Sequence, residues 1–307
     1  MTPLRSMLFV PADSERKLAK AQAVPADALV LDLEDSVEAA RKEAARASAA
    51  EFLRGRAAIR ARTLWIRTNS VGDANFAADV EAAVRAEADG IVLPKPRSVR
   101  DVHALAAQLD TLEARLGRPL GATMILPIAT ETPASVLALR DYASGGPRLA
   151  ALTWGAEDLS TALGAATAVD ERGRWLPPYE LARSLCLLAA GAAEVPAIDT
   201  VHTDIRDLDA LTRSALAAHR DGFSGKLAIH PDQVPVLNRA FQPSAADVAA
   251  AQAVVAAFAA AEGAGVVAHG GKMLDRPHLK RAQRVLALAA AAQETVDGGD
   301  GNDYPIG

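Results

Sequence analysis

Short apolar runs alternate with longer alanine-rich runs along most of the chain. The short runs are almost wholly apolar, a pattern typical of parallel β-strands that are buried on both faces. Alanine is the best helix former, so the longer runs predict helices. The predicted strands are 6–11, 28–33, 63–68, 90–94, 122–128, 149–154, 197–202 and 226–229. The predicted helices are 14–23, 37–54, 76–88, 99–116, 133–142, 178–190 and 208–221.

Eight strands with intervening helices predict an α/β fold, a (β/α)8 TIM barrel, which we place at residues 1–235. A chain of 307 residues accommodates such a barrel, which takes about 250 residues, together with an appendage. The alternative is a doubly wound open sheet. That fold would usually carry a glycine-rich phosphate-binding turn after an early strand, and the sequence contains no G-x-G-x-x-G.

The pattern changes after residue 229. The sequence there predicts a short helix over 234–240, a long alanine-rich helix over 244–262, a hairpin or loop over 263–272 and a final helix from Pro277. Ser244 and Asp247 resemble a helix N-cap with an acidic third position. We therefore expect a C-terminal helical extension, residues 236–295, that packs on the barrel or reaches a neighbouring subunit. Residues 296–307 predict a disordered tail.

Composition and charge narrow the classes of function. The net charge of −5 argues against a general nucleic-acid binder, although a local basic cluster could still hold an anionic cofactor. The single cysteine, Cys186, cannot form an internal disulfide, and its leucine neighbours predict a buried core thiol. No apolar run is long enough to span a bilayer, and the N-terminus does not resemble a signal peptide. These features predict a cytoplasmic protein with no membrane partner.

Polar residues collect directly after the predicted strands. In a (β/α)8 barrel, catalytic residues belong at the C-terminal ends of the strands. The sequence places there Asp32, Glu34 and Asp35 after the second strand, Arg67 after the third, Lys95 after the fourth, Glu131 after the fifth and Asp158 after the sixth. No suitable His–Ser or His–Cys arrangement accompanies them, and the six histidines show no ligand spacing. The set favours chemistry that combines a metal with an arginine facing developing negative charge.

Glu131 and Asp158 are the candidate metal ligands. They are 27 residues apart, which is about one β–α unit. If their strands are parallel neighbours, the strand ends lie about 5 Å apart, and two carboxylates can share one hard divalent cation. Alternatively, Asp158 caps the following helix and Glu131 lies in a helix first turn, near Thr130 and Pro133. Their paired position at neighbouring strand ends favours the ligand interpretation.

The basic residues have two interpretations each. Arg67 follows an apolar strand and faces either an anion or a strand-end ion-pair partner. Lys95 lies between two prolines and is displayed either to substrate or to a structural ion pair. Arg16 and Lys20, after the first strand, belong to a solvated helix face or meet phosphates. For the Glu34–Asp35 pair, we expect one member to bond to a neighbouring strand end.

An ordered set of motifs resembles the HpcH/HpaI aldolase/citrate lyase family, in its CitE-like branch. The motifs cover nearly the whole chain: SMLFVPA with Arg16 and Lys20, LDLEDSV, IRTNS, GIVLPK, TETP, WGAEDL, AIDTV, GFSGKLAIHPDQ and GKMLDRP. Two departures are Pro11-Ala12, where the family often has Pro-Gly, and Thr68, where many members carry valine. Neither departure touches a charged position, so the metal and arginine assignments are unaffected.

The resemblance implies an oligomeric TIM barrel, a trimer or a hexamer of trimers. It implies Mg²⁺, with Mn²⁺ as a substitute, on Glu131 and Asp158, and a CoA or acyl-carrier thioester as substrate. It also implies that an aspartate of one subunit's C-terminal segment reaches the next subunit's active site, and Asp275 matches that position. The alternative is a structural role for Asp275, in which it caps the final helix. We expect catalytic roles for Arg67, Asp275, Glu34 and Asp35. We expect Arg67, Glu131 and Lys95 to bind substrate, and Arg16 and Lys20 to bind CoA.

Three functions are compatible with these residues. The first is a Mg²⁺-dependent carbon–carbon lyase that acts on citramalyl-CoA, malyl-CoA or a similar 3-hydroxyacyl-CoA and yields a short acyl-CoA and a 2-oxo acid. The second is a citrate lyase β subunit that works in a complex on a substrate attached to an acyl carrier protein. The third is a non-catalytic barrel used for binding or assembly, which the complete set of Glu131, Asp158 and Arg67 argues against. Asp275 favours the first over the second, since a self-sufficient oligomer can supply its own acid.

Overall fold

A computed structural model describes residues 4–59, 63–146, 148–261 and 265–297 of the chain, with side chains as far as residue 290. The described residues form two compact units, 4–240 and 241–297. The predicted tail, 296–307, lies outside the described residues from position 298 onward.

The first unit contains eight parallel strands. They are β1 Ser6–Pro11, β2 Ala28–Asp32, β3 Thr63–Arg67, β4 Gly90–Leu93, β5 Met124–Pro127, β6 Leu152–Thr153, β7 Ala197–Asp199 and β8 Gly225–Ala228. Their order in the sheet is β5-β4-β3-β2-β1-β8-β7-β6. The two edges meet, because the amide of Ala129 donates to Thr153 O at 2.8 Å and that of Ile125 donates to Arg148 O at 2.7 Å. The sheet therefore closes, and the predicted (β/α)8 barrel is confirmed.

Helices follow the strands. They are α1 Glu15–Gln22, α2 Lys42–Arg54, α3 Phe76–Arg85, α4 Val99–Arg115, α5 Pro133–Leu137, α6 Glu157–Leu163, α7 Pro177–Ala192, α8 Leu208–Asp221 and α9 Gln233–Ala240. Local sequence sets several of their ends: the Ser98 and Asp207 side chains cap α4 and α8, and α8 stops at Gly222 in the left-handed region. Cys186 is fully buried on α7, as its leucine neighbours predicted.

Strand alternation carries two charged side chains into the interior of the barrel. Successive side chains of a strand point to opposite faces. On β2, Ala28 and Val30 belong to the interior core cluster, and so Asp32 continues the same row. On β3, Trp65 belongs to that cluster and Arg67 continues its row. Both charged residues therefore stand at the C-terminal end of the barrel interior.

The second unit is a helical pair with a hairpin between its helices. It comprises α10 Ala245–Ala260, β9 Val266–His269, β10 Lys272–Asp275 and α11 Arg276–Asp297. The strands β9 and β10 pair antiparallel, so the segment predicted as a hairpin or loop forms a hairpin. Phe258, Val267 and Leu274 form the core of this unit.

The sequence analysis found no apolar run long enough to span a bilayer, but one stretch, Gln233–Ala260, is long and apolar enough by length and composition alone. Its helicity is interrupted, because a capping box between Ser244 and Asp247 starts a new helix at Ala245. The stretch is thus divided between α9 and α10, and it is weak support for a membrane segment.

Candidate active site

Arg67 and Asp32 form the base of the site. The two residues are register partners on β3 and β2, so their side chains leave adjacent strand ends on the same face. Arg67 donates from Nε to Asp32 Oδ1 and from Nη2 to Asp32 Oδ2, both at 2.6 Å. The guanidinium carbon also lies 4.9 Å from the centre of the Phe9 ring. Two hydrogen bonds and a ring contact fix the plane of the guanidinium.

This fork of two hydrogen bonds between Arg67 and Asp32 also keeps both residues charged. Burial alone would raise the pKa of Asp32, but the hydrogen bonds and charge of Arg67, with further donors from Ser36 and Glu34, hold that pKa below its usual value. Burial would lower the pKa of Arg67, and Asp32 and Glu34 outweigh this effect and raise it. Asp32 is therefore a carboxylate and Arg67 a guanidinium across the physiological range.

Glu34 stands between Arg67 and Lys95. Its Oε2 lies 3.0 Å from Arg67 Nη1, at ion-pair distance without hydrogen-bond alignment, and its Oε1 lies 2.8 Å from Lys95 Nζ. Burial, with the charge of Asp35, raises the pKa of Glu34 more than these two cations lower it. The sequence predicted that one member of the Glu34–Asp35 pair would bond to a neighbouring strand end, and Glu34 does so through its contact with Arg67.

Lys95 connects four acids from three strand ends, those of β2, β5 and β6. Its backbone lies in the left-handed region, with φ 51°, an unusual conformation for a residue other than glycine. Its amide donates to Glu131 Oε2 at 2.5 Å. Its Nζ lies 2.8 Å from Glu34, 3.1 Å from Asp35 and 3.3 Å from Asp158. Lys95 is therefore in ion pairs, and those pairs are made with the residues of the site itself.

Glu131 is buried beside other carboxylates. Only 3% of the residue is exposed, and its pKa is raised well above the usual value by burial and then by the charge of Glu34 and Asp158, against the Lys95 amide and Arg67. The alternative of a helix first turn does not describe it, because Thr132 is the N-cap of α5 and Glu131 precedes that cap. A carboxylate that is buried beside other carboxylates is expensive to ionise, which suits a residue that receives a cation.

Gly155 makes room for the Glu131 side chain. A Cβ atom at position 155 would lie 2.8 Å from Glu131 Cγ, closer than van der Waals contact permits. The glycine of the W-G-A-E-D-L motif therefore shapes the space in which Glu131 lies.

Asp158 lies in the first turn of α6. That helix begins after Ala156, and no side chain caps it, so Asp158 does not act as the N-cap. Its carboxylate is partly exposed and contacts Lys95. Asp158 thus faces the acid cluster with an accessible oxygen.

Lys42 holds the strand ends from behind, and the sequence analysis gave it no role. Its buried Nζ donates to Leu33 O and Glu34 O, both at 2.7 Å, and to Asn69 Oδ1 at 2.8 Å. Asn69 in turn donates to Asp79. All three Nζ donors are satisfied, so Lys42 fixes the backbone that carries Glu34 relative to the end of β3.

The acid cluster opens into a cavity of about 780 Å³. Asp35, Arg67, Glu131 and Asp158 contribute to its lining. So do the exposed cations Arg16, Lys17 and Lys20 of α1, among apolar residues such as Val24 and Ile229. One cavity thus joins an oxygen-rich, acidic region to a basic helix and an apolar wall.

The donor set fits a hard divalent cation. Among the residues that the structure describes, no three His, Cys, Asp or Glu side chains already surround a common metal position. Instead, an ammonium group, Lys95 Nζ, stands among Glu34, Asp35 and Asp158, while Glu131 receives only an amide of the same residue. Carboxylate oxygens are the ligands that Mg²⁺ takes in proteins, and they already attract a cation here.

Asp275 belongs to the C-terminal unit. It is the last residue of β10 and directly precedes α11, with Pro277 in the first turn of that helix. Its Oδ1 lies 2.5 Å from His278 Nδ1, and both side chains are about half exposed. The hydrogen bond from His278 lowers the pKa of Asp275. The other predicted site residues all lie in the barrel unit.

Known proteins of similar sequence and structure identify the family of this chain. The sequence model of the HpcH/HpaI aldolase/citrate lyase family matches residues 5–231, and that of the C-C bond lyase of the TIM-barrel fold matches residues 187–292. The chain is thus an enzyme of the carbon–carbon lyase class. It belongs to the HpcH/HpaI aldolase/citrate lyase family, as its motifs predicted, and a non-catalytic barrel is set aside.

Three relatives cover nearly all of the chain. Citrate lyase subunit beta of Leuconostoc mesenteroides is 33% identical over 94% of this chain and 93% of that protein. The (3S)-malyl-CoA thioesterase of Cereibacter sphaeroides is 34% identical over 94% of this chain and 95% of that protein. The crystal structure of protein CitE from Mycobacterium tuberculosis in complex with magnesium, acetoacetate and coenzyme A has 34% identity and a TM-score of 0.72, covering 94% of this chain and 98% of the other.

Proposed function

We propose that this chain is a Mg²⁺-dependent carbon–carbon lyase of the retro-Claisen or aldol type. Its substrate is a 3-hydroxyacyl-CoA such as citramalyl-CoA or malyl-CoA. Cleavage gives acetyl-CoA or another short acyl-CoA together with a 2-oxo acid, and the reverse reaction forms the 3-hydroxyacyl-CoA from them. The observation that carries the proposal is the single cavity that Glu131, Asp158 and Arg67 share with the basic residues of α1. The CitE structure that contains magnesium, acetoacetate and coenzyme A supports it.

Glu131 and Asp158 would hold Mg²⁺, or Mn²⁺ in its place. When bound, the cation would supply a Lewis acid to the oxygens of the 2-oxo acid half. The raised pKa of Glu131 supports this role, because a carboxylate crowded by Glu34 and Asp158 gains most from a divalent charge.

Arg67 would bind the carboxylate or oxyanion of the oxo-acid half. A guanidinium has five N–H donors, and Asp32 accepts two of them, so donors remain for substrate. Asp32 acts as a positioning residue, because its fork holds the guanidinium plane before substrate arrives. Lys95 would add a second cation for the substrate carboxylate.

Glu34 and Asp35 would serve the proton transfers beside Arg67. Burial raises the pKa of Glu34, which brings its carboxyl closer to the range in which it can accept and return a proton. Asp35 is exposed toward the cavity and contacts Lys95.

Arg16 and Lys20 would bind the phosphates of CoA. Both are exposed on α1 and line the cavity, with Lys17 between them. A local cluster of three cations attracts an anionic cofactor although the chain as a whole carries a charge of −5.

We further propose a cytoplasmic homo-oligomer, a trimer or hexamer, in which Asp275 of a neighbouring subunit is the acid and base at the acyl methyl group. The hydrogen bond from His278 keeps Asp275 ionised, as a base must be before it accepts a proton, and it also makes the carboxylate a weaker base. Asp275→Asn retains capping ability and loses the proton. Mixing Asp275→Asn with Glu131→Gln should restore part of the activity if subunits share sites. Near-wild-type turnover of Asp275→Asn alone, or no rescue after verified subunit exchange, would count against this role.

The second candidate is a citrate lyase β subunit that acts on citryl-acyl carrier protein in a complex. The 33% identity with the Leuconostoc protein over 94% of this chain favours it. Gel filtration and activity with and without an acyl carrier protein separate the two candidates, because only the second requires the carrier.

The test of the proposal is a product analysis. The protein is incubated with Mg²⁺ and citramalyl-CoA, malyl-CoA and related esters, and products are followed by mass spectrometry. A short acyl-CoA with a 2-oxo acid is the expected result. Free CoA with an intact hydroxy acid would show thioester hydrolysis instead, and no turnover of any ester would contradict the proposal.

A further inference from the structure

Lys95 provides a positive charge inside the acid cluster. Its Nζ lies within 3.3 Å of carboxylate oxygens of Glu34, Asp35 and Asp158. An ammonium in this position contacts one of the two carboxylates, Asp158, that we propose as ligands. A divalent cation on Asp158 and the Lys95 ammonium would repel each other at such a distance.

The backbone and the side chain of Lys95 are anchored differently. The backbone holds the left-handed conformation and donates its amide to Glu131. The side chain is 27% exposed and ends a flexible four-carbon stem, so its ammonium can turn away while the amide contact remains. Of its three ion pairs, the one with Asp158 is the longest and the one with Glu34 the shortest.

We infer that Lys95 is an exchangeable internal cation: its ammonium neutralises Glu34, Asp35 and Asp158 while the site holds no metal, and a divalent metal displaces it from Asp158. This inference rests on the proposed metal site at Glu131 and Asp158. It assigns Lys95 a role in metal affinity in addition to any contact with substrate. In the metal-free site, the Lys95 ammonium offsets the repulsion among these carboxylates. The metal therefore binds in competition with that ammonium.

Metal affinity is the first test, measured as Mn²⁺ binding by electron paramagnetic resonance without substrate. Lys95→Gln removes the competing charge and should bind Mn²⁺ about tenfold more tightly than wild type, since one unit charge near a divalent cation is removed. Lys95→Arg keeps the charge and should stay near the wild-type affinity. Arg100→Met is the matched control, because it removes one positive charge from an exposed position of the helix that follows Lys95.

The second test needs no substitution of Lys95. Trace acetylation of the wild-type protein, followed by mass spectrometry, reports how reactive the Lys95 amine is. Mg²⁺ should increase the labelling of Lys95 several-fold, because the displaced amine loses its contact with Asp158 and becomes more accessible to the reagent. The exposed Lys280 should be labelled equally with and without Mg²⁺.

The outcomes separate the inference from the proposed function. If Glu131→Gln and Asp158→Asn bind Mn²⁺ as well as wild type does, the metal site itself is wrong. If those variants lose Mn²⁺ while Lys95→Gln binds it no more tightly than wild type, or Mg²⁺ leaves the labelling of Lys95 unchanged, the metal site stands and the exchange of Lys95 is refuted.

Discussion

Two buried glutamates at opposite ends of the barrel have opposite titration behaviour. Glu113 is fully buried near the N-terminal ends of the strands, where its carboxylate accepts from Arg148 and from the amides of Gly121 and Thr123. Burial would raise its pKa, yet these donors lower it to about 2. Glu131 at the C-terminal end is similarly buried, and its pKa is raised.

Both side chains are almost inaccessible to solvent, but their hydrogen-bond and charge partners differ. Around Glu113, donors surround one carboxylate, and the ionised form stabilises the fold. Around Glu131, the charges of Glu34 and Asp158 add to the effect of burial, and the Lys95 amide and Arg67 offset only part of it. The N-terminal end of the barrel is therefore built for stability. The C-terminal end retains repulsion among neighbouring carboxylates, which a bound cation can relieve.

The largest expected effect separates these two glutamates. Glu131→Gln should abolish Mg²⁺-dependent activity without destabilising the metal-free protein at pH 7. A carboxyl group whose pKa is raised by folding makes the folded protein less stable as pH rises from the ordinary pKa of 4.5 through the pKa in the folded protein. An amide does not titrate, so Glu131→Gln avoids this loss. Activity and urea unfolding of the purified variant measure both effects. Glu113→Gln is the matched control, and it should keep its activity. Full activity of Glu131→Gln would contradict the ligand assignment.

Arg67→Lys should reduce kcat/KM by a factor that corresponds to about 2–4 kcal/mol, comparable with the loss of one oxyanion donor. A lysine cannot reproduce the fork that Arg67 makes with Asp32. The control is Arg5→Lys, because Arg5 makes a similar fork with Asp27 at the other end of the barrel, with both bonds at 2.8 Å. Arg5→Lys should lower stability and leave kcat/KM unchanged. An unchanged kcat/KM in Arg67→Lys would rule out its role on substrate.

Glu113→Gln should lower the free energy of unfolding by about 3 kcal/mol at pH 7, at about 1.4 kcal/mol for each pKa unit. The pKa of Glu113 is lowered from 4.5 to about 2 in the folded protein. Its contribution is therefore complete above pH 4.5 and disappears as pH falls toward 2. Urea unfolding of wild type and variant across this range checks the sign. A difference in stability that stays constant down to pH 2 would disagree with this account.

Gly155→Ala should have the smallest effect, a loss of Mn²⁺ affinity of about tenfold, within the range typical of residues that support metal ligands. Its Cβ would push the Glu131 side chain aside. Gly191→Ala is the control, because a Cβ at that position of α7 meets no atom within 4 Å. Equal Mn²⁺ affinities of the two variants would show that the space at position 155 does not position Glu131.

The sequence predicted the barrel because each strand is a continuous apolar run, and strand ends then placed Arg67, Glu131 and Asp158 at one end. Asp32 was named without a role, although alternation could have identified it: Asp32 and Arg67 each continue an inward row at adjacent strand ends. The contacts of Lys95 could not be predicted in this way. They depend on a left-handed backbone conformation, which glycine would signal in a sequence and lysine does not.

The most direct measurement of the central claim is a crystal structure of the protein with Mn²⁺ and pyruvate, recorded at the manganese absorption edge. The account predicts one anomalous peak held by the carboxylates of Glu131 and Asp158, with the Lys95 ammonium moved away from Asp158 and the Arg67–Asp32 fork retained. A peak held by other residues, or no peak at these two carboxylates under saturating Mn²⁺, would contradict it.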